Sequence, residues 1–534
     1  MNQHPPDPMR TGDGGRQELT DLRSSRKQVR RQQTPPEDIV QRARHAAAAG
    51  GYAGLAVLLA DHPLQVWFGV PPGELAAMFR KIPNATLRDE PVALLLVEWL
   101  RALGLASFSD QPVVASSPES THWFRQWQKA AEAVRFRIGG DPVAAYQLIR
   151  EMPDQLARIP SMSDDFRALR GILLTQKATT AMLAGEFRDA LSLLSRVLLA
   201  SPVAGMDFLV REVGIRSALL HALYGDPDLA RSHYRDAGIV PRTQSWVEQQ
   251  LDSEEQLVAA LLLIDTDPAA ARSRIHELTM QQMGEMWPFY LLALQRAAMA
   301  CDDEDQGVVR ERIAALREAG FESRACSGVP ETALATTAFL DAVFAGDHER
   351  ARLEAGRIDS RFWLTRAISA LLNGTPSGAR EAAAIAHAVR EHTEGLLRAE
   401  RWRILILAFA THAIGDIDEA VELLGSMSNG LSRMERALIR RFSPTLADRG
   451  AQFLAPSDDT RSEHGPAPAH LGRLPQGWVV RDRVLSLFDA AATAAVIEVT
   501  GTAGYGKSTA VLDWVRQRPH SEQVIWFAAD EQSR

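Results

Sequence analysis

The chain has 534 residues, of which 46% are hydrophobic and 24% charged; this composition is typical of a folded globular protein and excludes a disordered or fibrous one. Its 59 basic and 67 acidic residues leave a formal net charge of -8, which gives no overall electrostatic reason to bind nucleic acid. Two cysteines, Cys301 and Cys326, are too few for a disulfide framework or a paired-cysteine zinc site, so we expect plain thiols.

Residues 1–36 have no apolar periodicity, and they end in a basic cluster of Arg23, Arg26, Lys27, Arg30 and Arg31. This pattern predicts a disordered tail. A basic arm could contact nucleic acid or an acidic partner, but a solvated tail without a specific partner is the favoured interpretation. The N-terminus lacks the apolar core of a signal peptide, and no apolar run is long enough to cross a membrane. We therefore predict a cytoplasmic protein without membrane contact.

Residues 37–455 are rich in Ala, Leu, Arg and Glu, with apolar residues at helical spacing, which predicts a mainly α domain. Within it one signature recurs: a helix, a turn with Gly or an acidic residue, and a second helix with an early alanine. The copies are "RIGGDPVAAYQLI" (137–149), "LAGEFRDALSLL" (183–194), "LYGDPDLARSHY" (223–234), "IDTDPAAARSRI" (264–275), "FAGDHERARLEA" (344–355) and "AIGDIDEAVELL" (413–424). "AAGGYAGLAVLL" (48–59) looks like an earlier copy.

Neighbouring clear copies are about 40 residues apart, a period that indicates a solenoid. In one copy Phe187, Leu191, Leu194 and Leu198 share a helical face, and Ala190 leaves room for the preceding helix. One helix pair cannot bury such a face alone, so the pairs must stack. These units resemble tetratricopeptide-like repeats, and we expect a TPR-like helical solenoid that binds a protein or a small-molecule ligand.

Residues 456–478, in the stretch "APSDDTRSEHGPAPAHLGRLPQG", lack an apolar stripe and predict a linker. In residues 479–534 the apolar runs "AAVIEVTG" and "VIWFAAD" flank a helical segment, "KSTAVLDWVRQRP". This order predicts strand, helix and strand. The expected fold is thus a helical solenoid followed by the first β-α-β unit of an α/β domain.

The segment "GTAGYGKS" (501–508) fits the phosphate-loop pattern G-x-x-x-x-G-K-[ST] and lies between the first predicted strand and the helix, as the motif requires. Gly501, Gly504 and Gly506 let the backbone curl so that its N–H groups point at phosphate oxygens. Lys507 reaches the β- and γ-phosphates, and the hydroxyl of Ser508 can ligate Mg²⁺. We therefore predict that this P-loop NTPase segment binds ATP with Mg²⁺.

The stretch from "GRLPQGWVVRDRVLSLF" to the last residue resembles the start of the ATP-binding domain of the large ATP-dependent transcription regulators of the LuxR type. That family has "V-x-R-x-x-L" before the first strand, "AGxGK[ST]T" in the loop and "W-x-x-x-D-E" at the end of the second strand. The matching positions are Val480, Arg481 or Arg483, Leu485, Ala503 to Thr509, Trp526, Asp530 and Glu531.

The resemblance implies a signal-responsive regulator with an ATPase domain, a TPR-like sensor and a DNA-binding helix-turn-helix. It adds Arg481 and Thr509 to the positions that bind the cofactor. In that family the ATPase usually precedes the repeats, whereas here the repeats come first. "LSRMERALIRRF" (431–442) is similar to the opening of the LuxR-type DNA-binding domain, but no recognition helix follows, so we interpret it as a solenoid or capping helix. DNA binding is implied only through a domain absent here.

We therefore expect an ATP-binding transcription regulator, truncated before the rest of the ATPase and the helix-turn-helix. The alternative is a helical-repeat binding scaffold with a vestigial nucleotide loop. We expect no ATP turnover by this chain and assign no catalytic residue. Asp530 ends the strand "VIWFAA" and could hold the metal, but a strand-terminal turn residue is the favoured interpretation.

Overall fold

The structure is a computed structural model that describes residues 36–83, 91–102, 118–153, 166–198, 206–301, 306–321, 325–357, 363–427, 431–450 and Val511. Within these ranges the chain is mainly α-helical and has no strand, which confirms the helical class predicted for this part of the chain. The predicted tail, linker and β-α-β unit lie outside the described residues, apart from Pro36 and Val511.

The described helices group into two compact units, with the boundary between Phe362 and Trp363, inside the predicted repeat region. The helices of the first unit are α1 (Pro36–Ala48), α2 (Tyr52–Asp61), α3 (Pro63–Gly69), α4 (Pro72–Phe79), α5 (Pro91–Ala102), α6 (Pro118–Ile138), α7 (Pro142–Arg150), α8 (Phe166–Ala184), α9 (Phe187–Leu198), α10 (Asp207–Leu223), α11 (Pro227–Ile239), α12 (Glu248–Leu263), α13 (Pro268–Glu277), α14 (Met280–Met283), α15 (Trp287–Ala300), α16 (Gln306–Glu318), α17 (Gly328–Ala345) and α18 (His348–Ala355), with a short 3₁₀ turn at Gly284–Met286.

The second unit also consists of helices that pack on their neighbours in sequence. They are α19 (Trp363–Leu372), α20 (Pro376–Ala388), α21 (Arg390–Thr393), α22 (Leu397–Ile414), α23 (Ile417–Gly425), α24 (Arg433–Phe442) and α25 (Pro444–Arg449). The segment 431–442 forms α24, which starts with a capping box between Ser432 and Glu435 and buries Met434, Leu438 and Ile439.

Each copy of the sequence signature is a tight turn between two helices that pack on each other. The acidic residue of the signature is the N-cap of the second helix, where its carboxylate accepts a hydrogen bond from a backbone N–H of the first turn. This holds for Asp141, Asp226, Asp267, Asp347 and Asp416. The cap therefore explains why the signature recurs.

The early alanine of the signature is completely buried in all six clear copies, which confirms its predicted role as a small residue that lets two helices approach. The alanines are Ala145, Ala190, Ala230, Ala271, Ala351 and Ala420. An equally close approach occurs at Gly214 of α10, where an added Cβ would lie 2.8 Å from the Cβ of Ala237 in α11.

One further pair, α19 and α20, was missed because threonine replaces aspartate in its turn. Gly374 adopts a left-handed φ of 63°, Thr375 caps α20 by accepting from the N–H of Gly378, and Pro376 follows. The turn "NGTP" therefore ends one helix and caps the next in the same way as the acidic copies.

The apolar face predicted for α9 is only partly right. Leu194 is fully buried, but Phe187 and Leu191 are only half-buried, and the side chain of Leu198 lies outside the described residues. The fully buried part of the face contains Ala190, Leu193, Leu194 and Val197, and Phe187 and Leu191 pack against the same core at its edge. This helix contacts both the preceding helix α8 and the following helix α10.

Contacts between distant parts of the chain also hold the first unit together. The backbone N–H of Cys326 donates to the carbonyl of Gly140 at 2.8 Å, and the Ser327 hydroxyl donates to the carboxylate of Asp141 at 2.5 Å. Beside them, α17 packs on α8. In a simple linear array each repeat contacts only its neighbours, so these contacts are an addition to the repeat pattern.

Candidate ligand-binding pocket

The positions predicted to bind ATP and Mg²⁺ lie outside the described residues, and their geometry is therefore not part of the site below. They are Arg481, Gly501, Gly504, Gly506, Lys507, Ser508 and Thr509. Among the described residues no group of three or more His, Cys, Asp or Glu side chains is placed to hold a metal ion.

The first unit contains a pocket with a cavity volume of about 140 Å³. Most of its wall is apolar, and side chains come from segments that are far apart in the sequence. The aromatic wall residues are Trp67, Phe68, Trp99, Phe208 and Trp246, and the aliphatic ones include Leu64, Leu96, Val134, Leu169, Ile172, Leu209 and Val247. Phe208 is fully buried, as is Met286 at the base of the 3₁₀ turn.

One side of the pocket is closed by two hydrogen bonds from Trp246 to α3. Its backbone N–H donates to the carbonyl of Phe68 at 3.1 Å, and its indole Nε1–H donates to the carbonyl of Trp67 at 2.9 Å. The rings of Phe68 and Trp246 lie nearly parallel with centroids 6.4 Å apart. Because α3 and the segment before α12 are 179 residues apart, only the tertiary fold forms this wall.

Polar side chains enter the apolar wall as two ion-pair groups, each built on a buried arginine. In the first, Arg137 of α6 is held by the carboxylate of Glu285, with Nε to Oε2 at 2.5 Å and Nη2 to Oε1 at 3.2 Å. Its remaining N–H groups donate to the Gln176 carbonyl, the Gln176 side-chain oxygen and the Thr180 hydroxyl, at 3.1, 2.8 and 2.9 Å. All five donors of this guanidinium therefore have protein acceptors.

In the second group, Arg216 of α10 is paired with Glu254 of α12, with Nε to Oε2 at 3.2 Å and Nη2 to Oε1 at 3.4 Å. Its Nη1 contacts the Thr179 hydroxyl at 2.5 Å and the carboxylate of Glu212. Glu254 is completely buried and also accepts from the Gln250 amide at 2.9 Å. Arg216 thus ties together helices α8, α10 and α12.

Glu212 is the carboxylate with the fewest partners in the pocket. It is 5% exposed, and its charged partner among the described residues is Arg216 on the next turn of α10. Burial raises the pKa of Glu212; Arg216 opposes this rise, and the carboxylate of Glu254 adds to it. Although burial disfavours its charge, the pKa of Arg216 is raised by Glu212 and Glu254, so the guanidinium stays charged.

A third ion cluster, next to the pocket, fixes the distance between α10 and α12. Arg211 is 2% exposed and pairs with Glu248, Asp252 and Glu255, all on α12. Its Nη2 lies 2.6 Å from Asp252 Oδ1. Glu212 follows Arg211 directly in α10, and Glu254 lies in α12 between Asp252 and Glu255, two of the partners of Arg211. The cluster therefore positions these two pocket carboxylates.

No pocket residue was predicted from the sequence, although α10 carries a usable signal. Fifteen of the 17 residues of this helix are buried and most of them are apolar, yet Arg211, Glu212 and Arg216 are among the buried ones. Charged side chains are rarely buried unless they are paired. Charges that interrupt an all-round apolar helix therefore indicate a paired internal network, although they do not identify the partners.

Comparison with known proteins does not identify a family for this chain. No protein-family model matches the chain, and no curated protein matches it. None of the described helices combines the length and the apolar character needed to span a membrane.

Proposed function

We propose that the chain is a ligand-responsive regulator whose first helical unit binds a small molecule in this pocket and whose C-terminal segment binds ATP. The pocket is the observation that carries the proposal. Ligand sites are typically apolar concavities with a few convergent polar groups, and this cavity has five aromatic side chains and two ion-pair groups built on buried arginines. The repeated capped turns and buried alanines support a TPR-like solenoid as the scaffold.

The ATP-binding part of the proposal is supported by the sequence. Gly501, Gly504 and Gly506 form the cradle, Lys507 contacts the phosphates, and Ser508 holds Mg²⁺. The likeness to LuxR-type regulators supports a switch protein of the cytoplasm that acts on DNA through a helix-turn-helix domain. If the nucleotide loop is instead vestigial, the chain is a binding scaffold, and a titration with ATP and Mg²⁺ distinguishes the two.

The ligand-binding role is tested by filling the pocket. Ile172 of α8 lines the cavity and is half-buried, so Ile172→Trp places a large ring in the space without removing a charge. We expect the wild-type chain to bind small one-ring aromatic probes saturably in calorimetry and the variant to lose at least about tenfold in affinity, because a filled cavity excludes the ring.

The matched control is Ile239→Trp. Ile239 is 75% exposed at the end of α11, so the same substitution there leaves the cavity unchanged. Equal probe affinity in wild type and Ile172→Trp, with both variants folded by circular dichroism, would show that the pocket is not a ligand site.

A further inference from the structure

We infer that the pocket of the first unit takes a small organic cation, with an apolar body of about one ring that carries a protonated amine. This inference rests on the proposed ligand-binding role and extends it by assigning the charge and size of the ligand. Three features carry it: guanidinium donors already used by the protein, a surplus carboxylate and an aromatic wall.

The first feature disfavours an anionic ligand. Arg137 uses all five of its donors on Glu285, Gln176 and Thr180. Arg216 directs its Nε and both terminal nitrogens at Glu254, Thr179 and Glu212. These contacts use all five N–H donors of Arg137 and four of the five of Arg216, so a carboxylate or phosphate could form a bidentate pair only by displacing a protein carboxylate.

The second feature is a surplus of negative charge. Glu212, Glu254 and Glu285 face Arg137 and Arg216, so the group contains one more carboxylate than guanidinium. Glu254 and Glu285 are both held in bidentate pairs, which leaves Glu212 as the carboxylate with capacity for a further donor. Burial raises the pKa of Glu212, and an ammonium beside it would favour the ionised carboxylate, balance its charge and donate a hydrogen bond to it.

The third feature is the wall. The pocket presents five aromatic rings, three of them indoles from Trp67, Trp99 and Trp246. The negative face of such rings attracts organic cations, and indole does so most strongly. The rings would bury the apolar body of either kind of ligand, but only a cationic group is also attracted by their faces and by the carboxylate.

The cavity volume sets the size of the ligand body. At about 140 Å³ it is close to the roughly 150 Å³ of an engineered protein cavity that holds benzene. The volume therefore matches a single six-membered ring or a comparable branched alkyl group.

The test compares three one-ring probes that differ in charge: phenethylamine, phenethyl alcohol and hydrocinnamate. Calorimetry on the full chain near neutral pH should show the amine binding at least about tenfold more tightly than the alcohol, with the anion weakest. Glu212→Gln keeps the shape of the side chain and removes its charge, so it should lower the amine affinity at least about tenfold and leave the alcohol affinity within about twofold. Glu132→Gln, at an exposed glutamate of α6, is the matched control and should change neither.

The wild-type comparison needs no variant, so it tests the inference even if Glu212→Gln does not fold. If no probe binds, the proposed ligand site itself is wrong. If the alcohol or hydrocinnamate binds as tightly as the amine, or if Glu212→Gln keeps the preference for the amine, the pocket is a ligand site but not one for a cation.

Discussion

Arg216 is 5% exposed and holds the carboxylates of Glu212 and Glu254 in a part of the fold that is otherwise apolar. Removing one partner of such a buried pair typically costs about 3 to 5 kcal/mol, whereas replacing the whole group by apolar side chains is often neutral or stabilising. The attraction between Arg216 and its two carboxylates is therefore largely offset by the cost of removing these charges from water, so the group adds little net stability. Its place in the pocket wall is consistent with a role in binding.

His221 is a second buried titratable group in α10, and it couples the stability of the first unit to pH. It is 9% exposed, its ring stacks on His233 with centroids 5.5 Å apart, and its Nδ1 lies 3.4 Å from the backbone nitrogen of Asp226. Burial lowers the pKa of His221 to about 4 from an ordinary value of 6.5; His233 adds to the shift and Asp226 opposes it.

The folded protein therefore keeps His221 neutral in a range where the unfolded chain already binds a proton. This contribution to stability is present above pH 6.5 and is lost as the pH falls from 6.5 to about 4. The loss is at most about 3 kcal/mol. Urea unfolding at several pH values should show the decline, and His221→Gln should flatten it.

A residual slope is expected in His221→Gln, because burial also lowers the pKa of His233. The control is His348→Gln, at an exposed position that starts α18, and it should keep the wild-type slope. An undiminished slope in His221→Gln would assign the pH dependence to other groups.

At the scale of the elements, the recurring unit is a helix pair whose turn is fixed by backbone chemistry. In the last clear copy, Gly415 ends α22 in a left-handed conformation with φ 107°, and Asp416 caps α23. A glycine takes this φ without the strain that a Cβ would add, and the aspartate satisfies an N–H that has no partner within the helix. The turn thus stops one helix and starts the next within two residues.

The cap at Asp416 should be measurable in isolation, because its side chain is exposed and accepts from the backbone N–H of Glu419 at 3.1 Å. Asp416→Ala should lower the stability of the second unit by about 1 kcal/mol. Asp416→Asn retains a capping oxygen and should lose much less. Denaturation followed by circular dichroism gives both values, and equal losses in the two variants would show that charge rather than capping is responsible.

At the scale of the whole molecule, the described chain consists of two compact helical units that meet in sequence at residues 362 and 363. Within the first unit, long-range contacts such as the Arg137 to Glu285 pair, 148 residues apart, enclose the pocket. The pocket lies in the first unit, whereas the residues of the proposed nucleotide loop lie outside the described part of the chain and after residue 363. Ligand binding and ATP binding should therefore be separable by mutation.

Lys507→Ala tests this separation. Lys507 is the side-chain cation of the loop "GTAGYGKS", so its loss should abolish ATP binding in the presence of Mg²⁺. The helical circular dichroism and the affinity for the pocket probes should stay at wild-type values. Calorimetry measures both affinities, and Arg518→Ala, which also removes one cation from the predicted segment, is the control. ATP affinity unchanged by Lys507→Ala would show that the loop is not the site.

The sequence by itself determined the helical class, the positions of the turns and the buried alanines. These features are predictable because they depend on local geometry. A cap such as Asp141 bonds a backbone N–H only three residues away, at Ala144, and the early alanine is set by the spacing within one helix pair. The buried face of α9 was less predictable, because it packs against two neighbouring helices and so includes Leu193 and Val197 beside the predicted Leu194.

The pocket was decided by the tertiary structure alone. Its wall joins Trp67 to Trp246 across 179 residues, and the pair of Arg216 with Glu254 spans 38. Hydrophobic periodicity predicts that a face is buried, but not which distant face covers it. A charged residue within a buried helix likewise indicates that it has a partner, but not which residue that partner is. Burial makes the pairing obligatory, since an unpaired internal charge is strongly disfavoured, and the fold of the whole first unit selects the partner.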